Sequence, residues 1–197
     1  MDKRHNDKRI PSGKDKMTHR IIIAGAGGQG IMMLGKVLAE AAMLENRFVT
    51  YLPAYGAEVR GGTANCMLVV SDSQIGSPLV EEADSLIIMN EPSLDRFAKV
   101  ISKTGTIFIN SSLVRGVGSK GNSMRLPFTD TAMRLGNQRA ANMVALGSFC
   151  GKTELIDLKS VTKVIEDSAP VEKKDLAVLN IKALEAGSLL VRQERHM

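Results

Sequence analysis

Ile21, Ile22 and Ile23 form a β-branched apolar run without alternation, the pattern of a strand buried on both faces. From Ile31 the apolar positions Ile31, Leu34, Val37, Leu38 and Leu44 recur at helical spacing. They predict a helix to about Glu45, with Asn46 as its stop. Between strand and helix stand Gly25, Gly27, Gly28 and Gly30. Arg47–Leu52 and Thr63–Val70 read as two further strands. The ten residues between them, Pro53–Gly62, are too few for a helical crossover. These two strands are therefore not expected to be consecutive parallel neighbours, and the sheet is expected to be mixed.

Ser85–Asn90 reads as another buried strand. Glu91-Pro92-Ser93 opens a helix to about Ser102, Lys103-Thr104-Gly105 stops it, and Thr106–Asn110 follows as a strand, a βαβ unit. Ser111–Gly121 reads as a loop and Ser123–Leu126 as a short strand. The last third is helical in pattern: Thr129–Leu135, Arg139–Cys150, Lys152–Asp167 with its N-cap near Thr153, and Val171–Gly187. The expected fold is α/β, a single three-layer α/β/α domain with a mixed, mostly parallel sheet and a helical C-terminal third. The expected organisation is a disordered basic tail over 1–18, a domain over 19–190 and a short tail over 191–197.

Charge sharpens that division. Of the net +5, residues 1–20 carry +4, from seven Lys/Arg and three Asp, so the body is nearly neutral. A solvated tail accounts for the basicity better than a nucleic-acid-binding face, and 4% aromatic content without Trp leaves few stacking platforms. No apolar run approaches a membrane span, and the N-terminus has no secretory pattern. His5, His19 and His196 lie at the chain ends, so an imidazole working inside the core is not expected. Cys66 and Cys150 lack CxxC spacing, so no iron–sulfur cluster or zinc knuckle is expected from this chain alone, and two free thiols fit a reducing cytoplasm.

The glycine turn, Gly25-Ala26-Gly27-Gly28-Gln29-Gly30, fits GxGxxG after a strand and before a helix. A dinucleotide site also needs an acid near the end of the second strand. Thr50-Tyr51-Leu52 stand there, and Glu45 falls too early. A structural turn and another kind of anion site remain. Tyr55–Gly62 places Glu58 and Arg60 between glycines, beyond the end of a strand and on the same expected sheet edge. The pair describes either a surface contact or, with the glycine turn, one wall of a crevice. Asn137, Arg139 and Asn142 open a small-residue helix, as caps or as braces for the loops. No nucleophile–base pair or carboxylate dyad stands out.

Three stretches resemble one family together: GAGGQGIMMLGKVLAEAA, AYGAEVRGGTANCMLVVSD followed by IGSP, and GNQRAANMVALGS. The chain resembles the gamma subunit of 2-oxoacid:ferredoxin oxidoreductases, and RGGTAN with ANMVALG is most similar to the 2-oxoglutarate (2-ketoglutarate) branch. Ala54 and Ala57 stand where members often have Ser and Pro.

The resemblance implies a cytoplasmic complex that oxidatively decarboxylates a 2-oxoacid with coenzyme A, giving an acyl-CoA, CO2 and reduced ferredoxin. It implies thiamin diphosphate, Mg2+ and 4Fe-4S clusters in partner subunits, namely alpha and beta thiamin-binding subunits and a ferredoxin-like delta subunit. It implies neither a nucleic-acid nor a membrane partner. Gly25, Gly27, Gly28, Gln29, Gly30, Tyr55, Glu58, Arg60 and Gly61 are the residues expected to form a coenzyme A or subunit-interface crevice, with none catalytic. A free-standing nucleotide-binding protein is the alternative, as is the equivalent subunit of a pyruvate, 2-oxoisovalerate or indolepyruvate oxidoreductase.

Overall fold

The computed structural model of the chain describes residues 17–54, 63–117, 121–170, 172 and 174–194. Its sheet contains β1 (Thr18–Ala26), β2 (Phe48–Ala54), β3 (Thr63–Ser71), β4 (Ala83–Ile88), β5 (Ile101–Asn110) and β6 (Asn122–Leu126). Their spatial order is β2-β3-β1-β4-β5-β6. β1, β4, β5 and β6 run parallel, whereas β3 is antiparallel to both β1 and β2. The short connection after β2 forces that reversal, and the sheet is mixed as the loop length requires.

β1 is central, and its alternation divides the core. Ile21 and Ile23 face one layer, Ile22 and Ala24 the other. The first layer holds α1 (Ile31–Leu44), α3 (Phe128–Arg134), α4 (Ala141–Thr153), α5 (Leu158–Ser168) and α6 (Lys174–Glu194). The second is thinner: α2 (Glu91–Phe97), a 3-10 turn over Ala98–Val100, and loop residues such as Val80 and Val114.

α4 is buried from Ala141 to Cys150, against the sheet on one side and α6 on the other. Two glycines allow the helices this close: a Cβ on Gly147 would fall on the Leu184 carbonyl oxygen, and one on Gly187 on that of Val144. The Ser148 hydroxyl donates to Val144 O at 3.0 Å and lies 2.9 Å from Gly187 O.

Several boundaries differ from the sequence pattern, each for a tertiary reason. β2 continues through Pro53 to Ala54; it is an edge strand, where proline's missing N–H costs no ladder bond. The helix expected to run to Ser102 stops at Phe97. Buried Ile101 pairs with Ala83 across a bulge and draws 101–105 into β5. The helix expected from Lys152 begins at Leu158. α4 runs on to Thr153, Glu154 turns left-handed at φ 51°, and the Asp157 carboxylate caps α5 by accepting from Lys159 N at 2.9 Å. Gly187 is a packing residue inside α6, which continues to Glu194, past residue 190.

The expected tail over 1–18 lies outside the described residues up to 16, but Thr18 and His19 belong to β1. His19 is half-buried: Nε2 sits 3.0 Å from Ser85 Oγ and the ring meets Phe149 edge-on. An imidazole therefore does pack against the core. Desolvation lowers its pKa below the ordinary 6.5, only partly opposed by Asp84.

Two predictions follow from this packing. Gly187→Ala should cost about 2 kcal/mol, since α6 must move off a backbone carbonyl, and lower Tm by about 4–8 °C. Gly76→Ala, where a Cβ meets nothing within 4 Å, should leave Tm almost unchanged in the same melting experiment. For His19, the unfolded chain takes up a proton near 6.5 and the folded chain only at lower pH. Stability should hold above that value and fall as pH drops below it. The urea midpoint should decline more between about pH 7.5 and pH 5.5 in the wild type than in His19→Asn.

Candidate functional site

At the carboxyl ends of β1 and β4 the sheet changes hands: α1 leaves to one layer and α2 to the other. In open α/β sheets such a divide is where ligands are received. The glycine turn sits on it, and its glycines serve different purposes. A Cβ on Gly25 would lie 2.6 Å from Gln29 Oε1 and 2.8 Å from Met89 Cβ. Gly27 and Gly28 have nothing within 4 Å of that position and form an exposed ridge, with Gly28 at φ 85°. Gly30, at φ 72°, lies against the side chain of Asn142.

Gln29 ties the turn to both strands. Its Oε1 accepts from Ala26 N at 2.6 Å, and its Nε2 donates to Met89 O at 3.1 Å. Asn142, near the start of α4, donates from Nδ2 to Gly30 O at 3.2 Å and accepts from Met143 N at 2.9 Å. A third brace links β5 to α3: Asn110 Nδ2 donates to Thr129 Oγ1 at 2.8 Å and reaches Met89 O at 3.5 Å.

The ridge separates two clefts. One, of about 260 Å3, lies between Gly28, Gln29, Met89, Thr129, Gln138 and Arg139. The other, of about 380 Å3, lies between Gly27, Gly28, Met32, Met33, Ala54 and Thr63. A larger open groove, of about 480 Å3 between α1 and α5, is apolar around Met43, Leu44 and Val164. It flanks the end of α1 away from the turn and shares no residue with this site.

The expected residues Gly25, Gly27, Gly28, Gln29 and Gly30 are thus brought together. Tyr55, Glu58, Arg60 and Gly61 lie outside the described residues, but Ala54 and Thr63, which flank that segment, border the second cleft. Asn137 caps the 3-10 turn Gln138–Ala140, its Oδ1 accepting from Arg139 N at 3.0 Å, and Asn142 is a brace. Both possibilities left open for that stretch are realised. Met89, Thr129 and Gln138 are among the lining residues that sequence reasoning missed. They come from separate elements, and nothing local marks them.

The arrangement argues against a dinucleotide. β2 is not beside β1, because antiparallel β3 intervenes, and β2 itself carries no Asp or Glu, so among the described residues no second strand brings a ribose-binding acid to the turn. The thiols of Cys66 and Cys150 are both buried, which pushes their pKa values up to about 12 and leaves them unreactive at neutral pH. Among the described residues no group of three or more His, Cys, Asp or Glu could hold a metal ion.

A family model described as pyruvate ferredoxin/flavodoxin oxidoreductase matches residues 20–190. Ketoisovalerate oxidoreductase subunit VorA of Methanothermobacter thermautotrophicus is 39% identical over 176 residues, 88% of this chain and 36% of its own length. The chain thus spans about a third of that relative. The 2-oxoglutarate synthase subunit KorC of Archaeoglobus fulgidus is 34% identical over 158 residues, 75% of this chain and 81% of that subunit. Among solved structures, a keto/oxoacid ferredoxin oxidoreductase gamma subunit from Geobacter sulfurreducens superposes with a TM-score of 0.78 at 25% identity, over 89% of this chain and 99% of that one.

Removing the Asn142 brace should be costly. Asn142→Ala should lose about 1–2 kcal/mol of stability. Near-isosteric Asn142→Asp should lose at least as much, since it sets a carboxylate against the Gly30 carbonyl. Chemical denaturation of the two variants measures both.

Proposed function

We propose, for a chain that belongs to the pyruvate ferredoxin/flavodoxin oxidoreductase family, that it is the gamma subunit of a complex that oxidises 2-oxoglutarate. The observation that carries this reading is the match along most of the 2-oxoglutarate synthase subunit, a chain of similar extent. The overall reaction converts a 2-oxoacid, coenzyme A and two oxidised ferredoxins into an acyl-CoA, CO2, two reduced ferredoxins and a proton. Alpha and beta subunits would carry thiamin diphosphate and Mg2+, and partner chains the 4Fe-4S clusters that pass electrons to ferredoxin. The working compartment would be the cytoplasm; none of the described helices is long and apolar enough to cross a membrane.

This chain's part is positional. The hydroxyl–imidazole contact of Ser85 with His19 lies at the end of β1 away from the turn, and the buried thiols are held protonated. What the described residues supply is an exposed ridge, Gly27–Gly28, between two clefts, the second bordered by Ala54 and Thr63. Gly25, Gly27, Gly28, Gln29 and Gly30, with Tyr55, Glu58, Arg60 and Gly61, would form the wall along which coenzyme A approaches the partner subunits.

A second substrate, 2-oxoisovalerate, is favoured by the higher identity to the ketoisovalerate relative. Reconstitution separates the two. With its alpha and beta partners, the chain should raise coenzyme A-dependent viologen reduction with 2-oxoglutarate more than with 2-oxoisovalerate. Failure to bind the partners or to raise activity would overturn the assignment. Gly27→Val adds bulk to the ridge without backbone strain. It should raise the coenzyme A KM several-fold with kcat little changed; a defect confined to assembly would mark the chain as scaffold alone.

A further inference from the structure

The segment 111–117, which follows β5, is held more firmly than its lack of regular structure suggests. Asn110 O accepts from Leu113 N at 3.1 Å and from Val114 N at 2.9 Å, which turns the chain back at the strand end. Glu91, in the first turn of α2, then clamps it: Oε2 accepts from Arg115 N at 2.6 Å and Oε1 from Gly116 N at 3.0 Å. Bonds to an ionised carboxylate are about twice as strong as neutral ones. Arg125 of β6 holds the same stretch by its carbonyls, donating from Nη2 to Val114 O at 2.7 Å and from Nη1 to Gly116 O. Gly116 has no room for a side chain, since a Cβ there would lie 2.7 Å from Glu91 Oε1.

Between the strand end and the clamp, Val114 is buried but Leu113 is 45% exposed. A fixed backbone thus presents an apolar side chain at the surface, where it borders the 260 Å3 cleft with Gly28, Thr129 and Arg139. No acid lines that cleft, so it combines one cation with an apolar contact. Coenzyme A offers both complements, phosphates for the guanidinium and apolar carbon for the leucine. We propose that Leu113 is a binding residue for coenzyme A and that Glu91 is the positioning residue that fixes it at the cleft. The inference rests on the reading of this crevice as the coenzyme A approach.

Kinetics of the reconstituted complex test it. Leu113→Ala should raise the coenzyme A KM roughly three- to tenfold, the order expected for one lost leucine contact, with kcat little changed. Volume-conserving Leu113→Met should restore most of that loss. Glu91→Ala should raise the same KM, and Gly116→Ala, which crowds the clamp with Glu91 intact, should act in the same direction. Val117→Ala, at an exposed residue that does not line the cleft, should match the wild type. Hydrogen exchange reads the clamp by itself: the Arg115 and Gly116 amides should exchange at least about tenfold faster in Glu91→Ala. Unchanged exchange would refute the positioning role. Should that variant fail to fold, Glu91→Gln keeps one oxygen acceptor and sets an N–H against the other amide, so both readouts should shift partway. An active wild-type complex with an unchanged KM in Leu113→Ala overturns the proposal and leaves the function standing. A loss confined to partner binding overturns it too, since Leu113 would then be an interface residue. A wild-type complex without coenzyme A-dependent activity removes the function itself, and this proposal with it.

Discussion

The depth at which α4 sits governs much of this structure. A helix buried on nearly every side needs neighbours on both flanks, and here one neighbour is the sheet and the other is α6. The α6 contact is backbone against backbone, because Gly147 and Gly187 each leave a space that the opposite carbonyl enters. Close-packed interiors do not absorb even one added methyl at such a point without moving a whole element. Since α4 begins at the glycine turn, its position also sets where Asn142 meets the Gly30 carbonyl. The core contact and the crevice are therefore one mechanical unit.

The crevice is defined as much by internal satisfaction of polar groups as by open space. Gln29, Asn110 and Asn142 consume the backbone groups nearest the divide, and what stays open is the Gly27–Gly28 ridge with a cleft on either side. A turn whose sequence fits a dinucleotide fingerprint thus becomes a ledge. The intervening antiparallel β3 keeps β2, which carries no acid of its own, from lying beside β1. The motif by itself is no guide to a ligand here, because function is decided by the geometry of a site and not by a short pattern or a fold.

Family membership fits the character of the described residues. Two thiols are held near pKa 12 by burial, and the one described imidazole is turned into the core beside Ser85 and Phe149. The edge formed by the ridge and its clefts is the part of the surface suited to receiving a ligand.

The local pattern alone determined β1, the turn and α1, because a β-branched run, a glycine cluster and a long helical period are decided within a few neighbouring residues. The mixed sheet was also legible, since a ten-residue connection cannot carry a crossover. That Asn137 and Asn142 cap or brace was legible from their place at a helix start, and the structure assigned the cap to Asn137 and the brace to Asn142. Only the tertiary structure decided that Ile101 joins β5, that Gly187 packs rather than stops a helix, and that His19 enters the core. It also decided that Gln29 bridges Ala26 and Met89. In each of these cases the deciding partner lies well outside the local window: Ala83 for 101, Val144 for 187, Ser85 for 19 and Met89 for 29. Periodicity reports which face of an element is apolar, but not which distant backbone will meet it there.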